Sequence, residues 1–162
     1  MQQSICQLPA FTQRQGVLSI DIKPTIDLRT VDLFCWDCYN IEKADYMNTQ
    51  EGKKLPVVHC TKGTPGWEIC DELKPFVQAV VDKPTFGSIK LPHLLSSCGE
   101  EISQIELCGL CTDICVISNA MLLKASFPEA KIIVDSSCCA GVTTESHQTA
   151  LDAMKAVQIE II

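Results

Sequence analysis

The second half of the chain alternates short apolar runs with amphipathic ones. "GWEICDELKPFVQAVV" places Trp67, Cys70, Leu73, Val77 and Val80 at helical spacing. Pro84 and Gly87 then punctuate "VDKPTFGS" as a turn or loop. "IKLPHLLSSCG" reads as a short helix closed by Gly99. "QIELCGL" is a short apolar run that suits a buried strand better than a helix. "TDICVISNAMLLKASF" predicts a helix capped by Thr112 or Asp113, with Pro128 just past its end. "KIIVD" is a second buried strand. "TTESHQTALDAMKAV" follows as a helix with a cap-like Thr144 and Ala150, Leu151, Met154 and Val157 on its apolar face, and "QIEII" closes as a third strand.

Strand, helix, strand, helix, strand with short links is the pattern of repeated βαβ units. Such units require a parallel sheet covered by helices, a three-layer α/β/α arrangement. A ligand site is then expected outside the carboxyl ends of the strands. "CGLCTDIC", residues 108–115, lies at one of those ends. The first 41 residues do not fit the scheme: "LFCWDCYN" and "IDIKPTID" show no clear period, and only "GVLSID" reads as a strand. There is no internal repeat and no low-complexity tract.

Composition narrows the function classes. A length of 162 residues suits one domain, and 46% hydrophobic with 20% charged residues is globular. The net charge of -7 repels phosphate backbones and anionic lipid, so neither nucleic acid nor a membrane is an expected partner. No apolar stretch reaches bilayer length, and "MQQSICQLPAFTQRQG" lacks the basic and apolar regions of a signal peptide. The eleven cysteines are odd in number and several sit inside apolar runs, as Cys70 and Cys108 do, which favours a reducing cytoplasm over a disulfide scaffold.

"CGLCTDIC" admits three chemical readings. A structural zinc site needs two ligand pairs, which Cys108 with Cys111 and Cys35 with Cys38 supply in spacing, although Cys108 falls in an apolar strand. A redox pair places its first cysteine at a helix start, whereas Cys108 is expected inside the strand, buried and inert. The third reading concerns Cys115 alone, in the first turn after a strand-to-helix bend. Unpaired N–H groups and the helix dipole there favour a thiolate, and the same donors can hold an oxyanion. A buried cysteine that merely packs the helix is the plain alternative.

"GLCTDICV" resembles the nucleophile turn of the isochorismatase-like cysteine hydrolases, the superfamily that includes the nicotinamidases. "LPVVHCTKGTPGWEI" resembles the nicotinamidase stretch in which His-Cys precedes a glycine loop. "VDKPTFGS" is similar to the strand end carrying the family's lysine, and "KIIVDSSCCAGVTTESH" to its next strand and helix start. The resemblance runs from about Tyr46 to the C-terminus. It implies one isochorismatase-like domain over residues 1–162, with 42–162 family-like and 1–41 atypical, so that a first strand and helix would be missing.

The resemblance carries the nucleophile onto Cys115 and the active-site lysine onto Lys83, a cation that favours an ionised sulfur. It implies a cis peptide before Cys111 and an oxyanion hole formed by the N–H groups of Cys111 and Cys115. His59 matches a histidine that helps bind a divalent metal such as zinc in nicotinamidases. That metal also draws on an upstream Asp-x-His pair, which this sequence lacks: its histidines are His59, His93 and His147. The family's general base is an aspartate at the end of its first strand, and Asp21 in "LSIDIK" occupies a loosely similar setting.

The implied activity is hydrolysis of a small amide, foremost nicotinamide to nicotinate and ammonia, by a cytoplasmic enzyme that self-associates as a homo-oligomer. The alternatives are another amide or carbamoyl substrate, isochorismate, or a catalytically impaired paralogue or fragment that acts as a binding or oligomerisation module.

Overall fold

The computed structural model describes residues 17–24, 31–37, 46–56, 63–65, 67, 68, 71, 74, 79–83, 85–97 and 102–162. The strands are β1 (Val17–Pro24), β2 (Val31–Asp37), β3 (Ala79–Lys83), β4 (Ile102–Leu110), β5 (Lys131–Ala140) and β6 (Glu160–Ile161). The helices are α1 (Gln50–Lys54), α2 (Lys90–Ser97), α3 (Ile117–Ser126) and α4 (Thr144–Ala156), and a π-helical turn, Thr112–Val116, leads into α3.

All six strands form one sheet in the order β3-β2-β1-β4-β5-β6. β2 and β3, β4 and β5, and β5 and β6 pair in parallel, as the βαβ pattern requires. The parallel expectation fails at β1, which runs antiparallel to both β2 and β4. A strand thus stands where the resemblance left a gap, but reversed in direction. Because β2 and β4 both oppose β1, they run parallel to each other, and the carboxyl ends of β2, β3, β4 and β5 share one edge of the sheet.

The core lies where the carboxyl-terminal βαβ units meet. Leu91 and Leu95 of α2, Ile105 and Leu107 of β4, Ala120 and Leu123 of α3, Ile132 and Val134 of β5, and Leu151 and Met154 of α4 pack into one buried cluster. Helix α3 touches both α2 and α4, so the three lie side by side over the sheet. Truncating any one of these leucines to alanine is expected to cost about 2–5 kcal/mol.

Three local expectations are corrected. The helical spacing ending at Val80 does not persist, because Ala79–Lys83 is a strand. β-Branched Val80 and Val81 pair beside β2, and a spacing of three and four across a strand start imitates a helix. Cys70, Leu73, Val77 and Gly99 lie outside the described residues. The helix expected to be capped at Thr144 is capped one residue earlier, by Thr143, whose hydroxyl accepts from Ser146 N–H while the Ser146 hydroxyl accepts from Thr143 N–H. The "KIIVD" strand continues to Ala140. No helix among the described residues is long and apolar enough to cross a membrane.

Candidate active site

The site grows from the end of β4. Leu107, Cys108 and Leu110 are buried there, and Gly109 adopts φ 140°, a conformation that glycine tolerates and side chains rarely reach. The register against β5 shifts between Leu107 and Gly109, so the strand end bends away from regular pairing. The Leu110–Cys111 peptide is cis, in agreement with the expectation from the resemblance. The π-helical turn then closes with the Val116 N–H donating to the Cys111 carbonyl at 3.1 Å.

The expected cap differs. Cys111 occupies the cap position and its side chain makes no capping bond. Thr112 and Asp113 are committed to another element instead: Thr112 Oγ1 lies 2.8 Å from His147 Nδ1, and the Asp113 carboxylate accepts from the Val142 N–H at 3.1 and 3.2 Å. A short polar side chain bonds whichever backbone or ring group lies nearest, and here that group comes from beyond β5.

Cys115, 4% exposed, projects from this turn towards Lys83, which is fully buried at the carboxyl end of β3. Lys83 Nζ donates to Cys115 Sγ at 3.3 Å and to the Thr85 carbonyl at 3.4 Å. Burial pushes the Cys115 thiol above its ordinary range; the Lys83 ammonium pulls it back by charge and hydrogen bond, the Cys111 side chain raises it, and the Cys111 N–H directed at the sulfur lowers it. Cys111 itself is raised by burial and by the Asp113 carboxylate. Burial and the Lys83 contact thus act in opposite senses on the Cys115 thiol, and burial is the larger of the two.

The remaining sequence candidates separate. Cys108 is buried in β4 as expected, and Cys108, Cys111, Cys115 and Cys139 are all free thiols, so the first and last cysteines of the cluster form no redox pair with Cys111. Cys138, by contrast, is disulfide-bonded. His59 and Cys38 lie outside the described residues.

The register sets the Asp21 position back from the carboxyl edge of the sheet. Asp21 is level with Asp32 of β2 and Glu106 of β4, and Glu106 precedes Leu110 by about 13 Å at about 3.3 Å per residue. Because β1 is reversed, its own carboxyl end, Pro24, lies at the far edge beside Ile102.

Two residues that sequence reasoning passed over belong to this region. Asp37 ends β2 in parallel register with Lys83, one strand nearer to the turn after β4. Asn119 is fully buried in α3; its amide donates to the carbonyls of Cys115 at 2.8 Å and Phe86 at 3.1 Å, and accepts from the Ser88 N–H at 3.0 Å. Its signal was a lone amide inside the apolar run "VISNAMLL".

Among the described residues no donor set fits the metal that the resemblance implies. His93 is exposed on α2, His147 is engaged by Thr112, and no group of three His, Cys, Asp or Glu side chains among the described residues is arranged to hold an ion. His59, the histidine that the resemblance carries to the metal, lies outside those residues, and a single imidazole makes a poor zinc site.

The fold has well-characterised likenesses. The nicotinamidase/pyrazinamidase PncA from Bacillus subtilis superposes with a TM-score of 0.67 at 22% identity, covering 82% of this chain and 74% of that one. The pyrazinamidase/nicotinamidase from Streptococcus mutans UA159 gives 0.65 at 24% identity over 80% and 74%. The pyrazinamidase of Pyrococcus horikoshii, solved in complex with zinc, gives 0.62 at 20% identity over 80% and 72%. Residues 27–162 match the isochorismatase domain, reaching further towards the N-terminus than the motifs do and taking in β2. With its buried thiol, lysine and turn at the carboxyl edge of the sheet, the chain belongs to the isochorismatase domain family.

Proposed function

We propose that the protein hydrolyses a small amide through a cysteine thioester, with nicotinamide as the first substrate to test. The observation that carries this reading is the buried contact between Lys83 Nζ and Cys115 Sγ at 3.3 Å. An ammonium held against a thiol in a site closed to water supports its ionised form and the charge that develops on attack.

The steps follow from the groups present. A base takes the Sγ proton, and the sulfur adds to the amide carbonyl carbon. The oxygen becomes an oxyanion, and we assign the N–H groups of Cys111 and Cys115 to receive it. The C–N bond then breaks, ammonia leaves with the proton held by the base, and a thioester remains. Water adds to the thioester carbonyl, gives up a proton to the same base, and releases the acid and the thiol.

We assign the base to Asp37 on placement. Among the described carboxylates near the carboxyl edge, Asp82 alternates to the face opposite Lys83, Asp113 is bound to Val142, and Asp135 bonds Ser137. Asp37 is in register with Lys83 and lies between β3 and the nucleophile turn in the order of strands.

Ammonia release from nicotinamide by the purified protein, abolished in Cys115→Ala, is the expected result. No turnover together with no alkylation at Cys115 sinks the reading. The lack of a metal donor set among the described residues favours a second reading within the same chemistry, a non-aromatic amide or carbamoyl substrate that has no ring nitrogen to anchor. Turnover of such a compound without turnover of nicotinamide selects it. A cytoplasmic homo-oligomer accompanies either reading, and light scattering of the purified chain tests the assembly.

A further inference from the structure

The turn that carries Cys115 is fastened at two points that the reaction itself does not use, once to α4 and once to the loop after β5. Thr112 is fully buried, and its hydroxyl meets Nδ1 of the half-buried His147 at 2.8 Å. One residue on, the Asp113 carboxylate holds the Val142 N–H with both oxygens. His147 in turn is fixed by the first turn of α4, where its N–H donates to the Thr143 carbonyl at 2.9 Å. Gly141 makes room for it: a Cβ there would meet His147 Cβ at 2.8 Å and its Cα and N at 2.9 Å.

We propose that His147 is a positioning residue for catalysis: its bond to Thr112 sets the orientation of the Cys111–Thr112 segment and so of the Cys111 N–H that faces Cys115 Sγ. The inference rests on the reading of Cys115 as nucleophile. Thr112 directly follows Cys111, so holding it fixes the Cys111–Thr112 peptide on one side of the Cys111 Cα, whose other side carries that N–H. A hydroxyl closed off from water has no alternative partner to hold it in place, whichever tautomer the imidazole adopts. Oxyanion donors act on the transition state, and small misplacements there reduce turnover rather than binding. The effect therefore falls on kcat and on the reactivity of the sulfur, not on KM.

The test uses the full chain and the variants His147→Leu, His147→Asn, Thr112→Val, Thr112→Ser and the Leu/Val double variant. An asparagine amide stands where Nδ1 does and keeps the bond; serine keeps the hydroxyl. Turnover of nicotinamide is measured beside the rate of Cys115 alkylation by iodoacetamide, mapped by fragment-ion mass spectrometry, which needs no substrate. His147→Leu and Thr112→Val are expected to lower kcat and alkylation about tenfold with KM within about twofold, as one misplaced donor does. His147→Asn and Thr112→Ser stay near the unmodified chain, and the double variant is no worse than either single one.

Should His147→Leu fail to fold, Thr112→Val against Thr112→Ser carries the same comparison. The proposal is overturned if His147→Leu reacts like the unmodified chain, if asparagine falls as far as leucine, or if the two losses multiply. Alkylation that follows the expected pattern in a chain inert towards nicotinamide upholds this inference and refutes the nicotinamidase reading.

Discussion

Lys83 Nζ and Cys115 Sγ meet at 3.3 Å across 32 residues of sequence, both closed off from solvent. The strand β3 supplies one and the turn after β4 the other, with β2 and β1 between them in the sheet. A lysine reaches that sulfur only because the parallel strands end at the same edge.

Replacing Lys83 by methionine removes the cation that lowers the Cys115 pKa while leaving the burial that raises it. The sign is therefore upward. The pH at which iodoacetamide reacts half-maximally with Cys115 is expected to rise by about 1–3 units, the range for one nearby charge. An unmoved profile shows that the ammonium is not coupled to the sulfur.

Asp37→Asn separates the two aspartates that compete for the role of base. If Asp37 takes the thiol proton, kcat/KM falls by about a hundredfold or more. Asp21→Asn is expected to leave it unchanged, because Asp21 is level with Glu106, well short of the strand end. Steady-state ammonia release from both variants decides the matter, and the opposite ranking returns the assignment to Asp21.

The sequence patterns carried the carboxyl-terminal half of the fold well, since β4, α3, β5 and α4 are each long enough for one period to dominate. Cys115 and Lys83 were each singled out by a short motif, and the structure brings the two side chains together. What was not legible depended on pairing between distant segments. The reversed direction of β1 leaves its alternation unchanged, so nothing in "GVLSIDIKP" distinguishes an antiparallel from a parallel neighbour. The same reversal sets the Asp21 position back from the carboxyl edge, at which Asp37 ends β2. Thr112 looked like a cap because its residue type suits one, and only the arrival of α4 gives it His147 as a partner instead.

Asn119 ties the nucleophile turn to the loop after β3, and its removal is expected to be felt mainly as stability. Asn119→Ala leaves the Ser88 N–H and the carbonyls of Phe86 and Cys115 without the amide they bond. Unpaired buried polar groups cost about 1–3 kcal/mol each, so a net loss of about 3–5 kcal/mol follows. For a chain of this size that lowers Tm by roughly 10 °C. A thermal scan showing a shift of less than about 2 °C would mean that the tie contributes little.

Cys139 makes stability depend on alkaline pH. Burial pushes its thiol up to about 12 from an ordinary 9.0; the Gly109 N–H opposes the rise and the Asp135 carboxylate adds to it. Below the unfolded value both states hold the proton, so the contribution is complete there. As pH climbs past the unfolded value the unfolded thiol ionises and the folded one does not, which stabilises the unfolded chain. Stability is then lost at about 1.4 kcal/mol per pH unit until the folded value is reached. The thiols of Cys111 and Cys115 are also raised and add slopes of the same sign, so the useful quantity is a difference. Urea unfolding of the unmodified chain and of Cys139→Ala, at neutral pH and at steps above the unfolded value, gives that difference directly. The advantage of the unmodified chain is expected to shrink as pH rises and to hold steady below the unfolded value. A constant gap across the whole range would place the folded Cys139 thiol at its ordinary pKa and remove burial as the controlling cause.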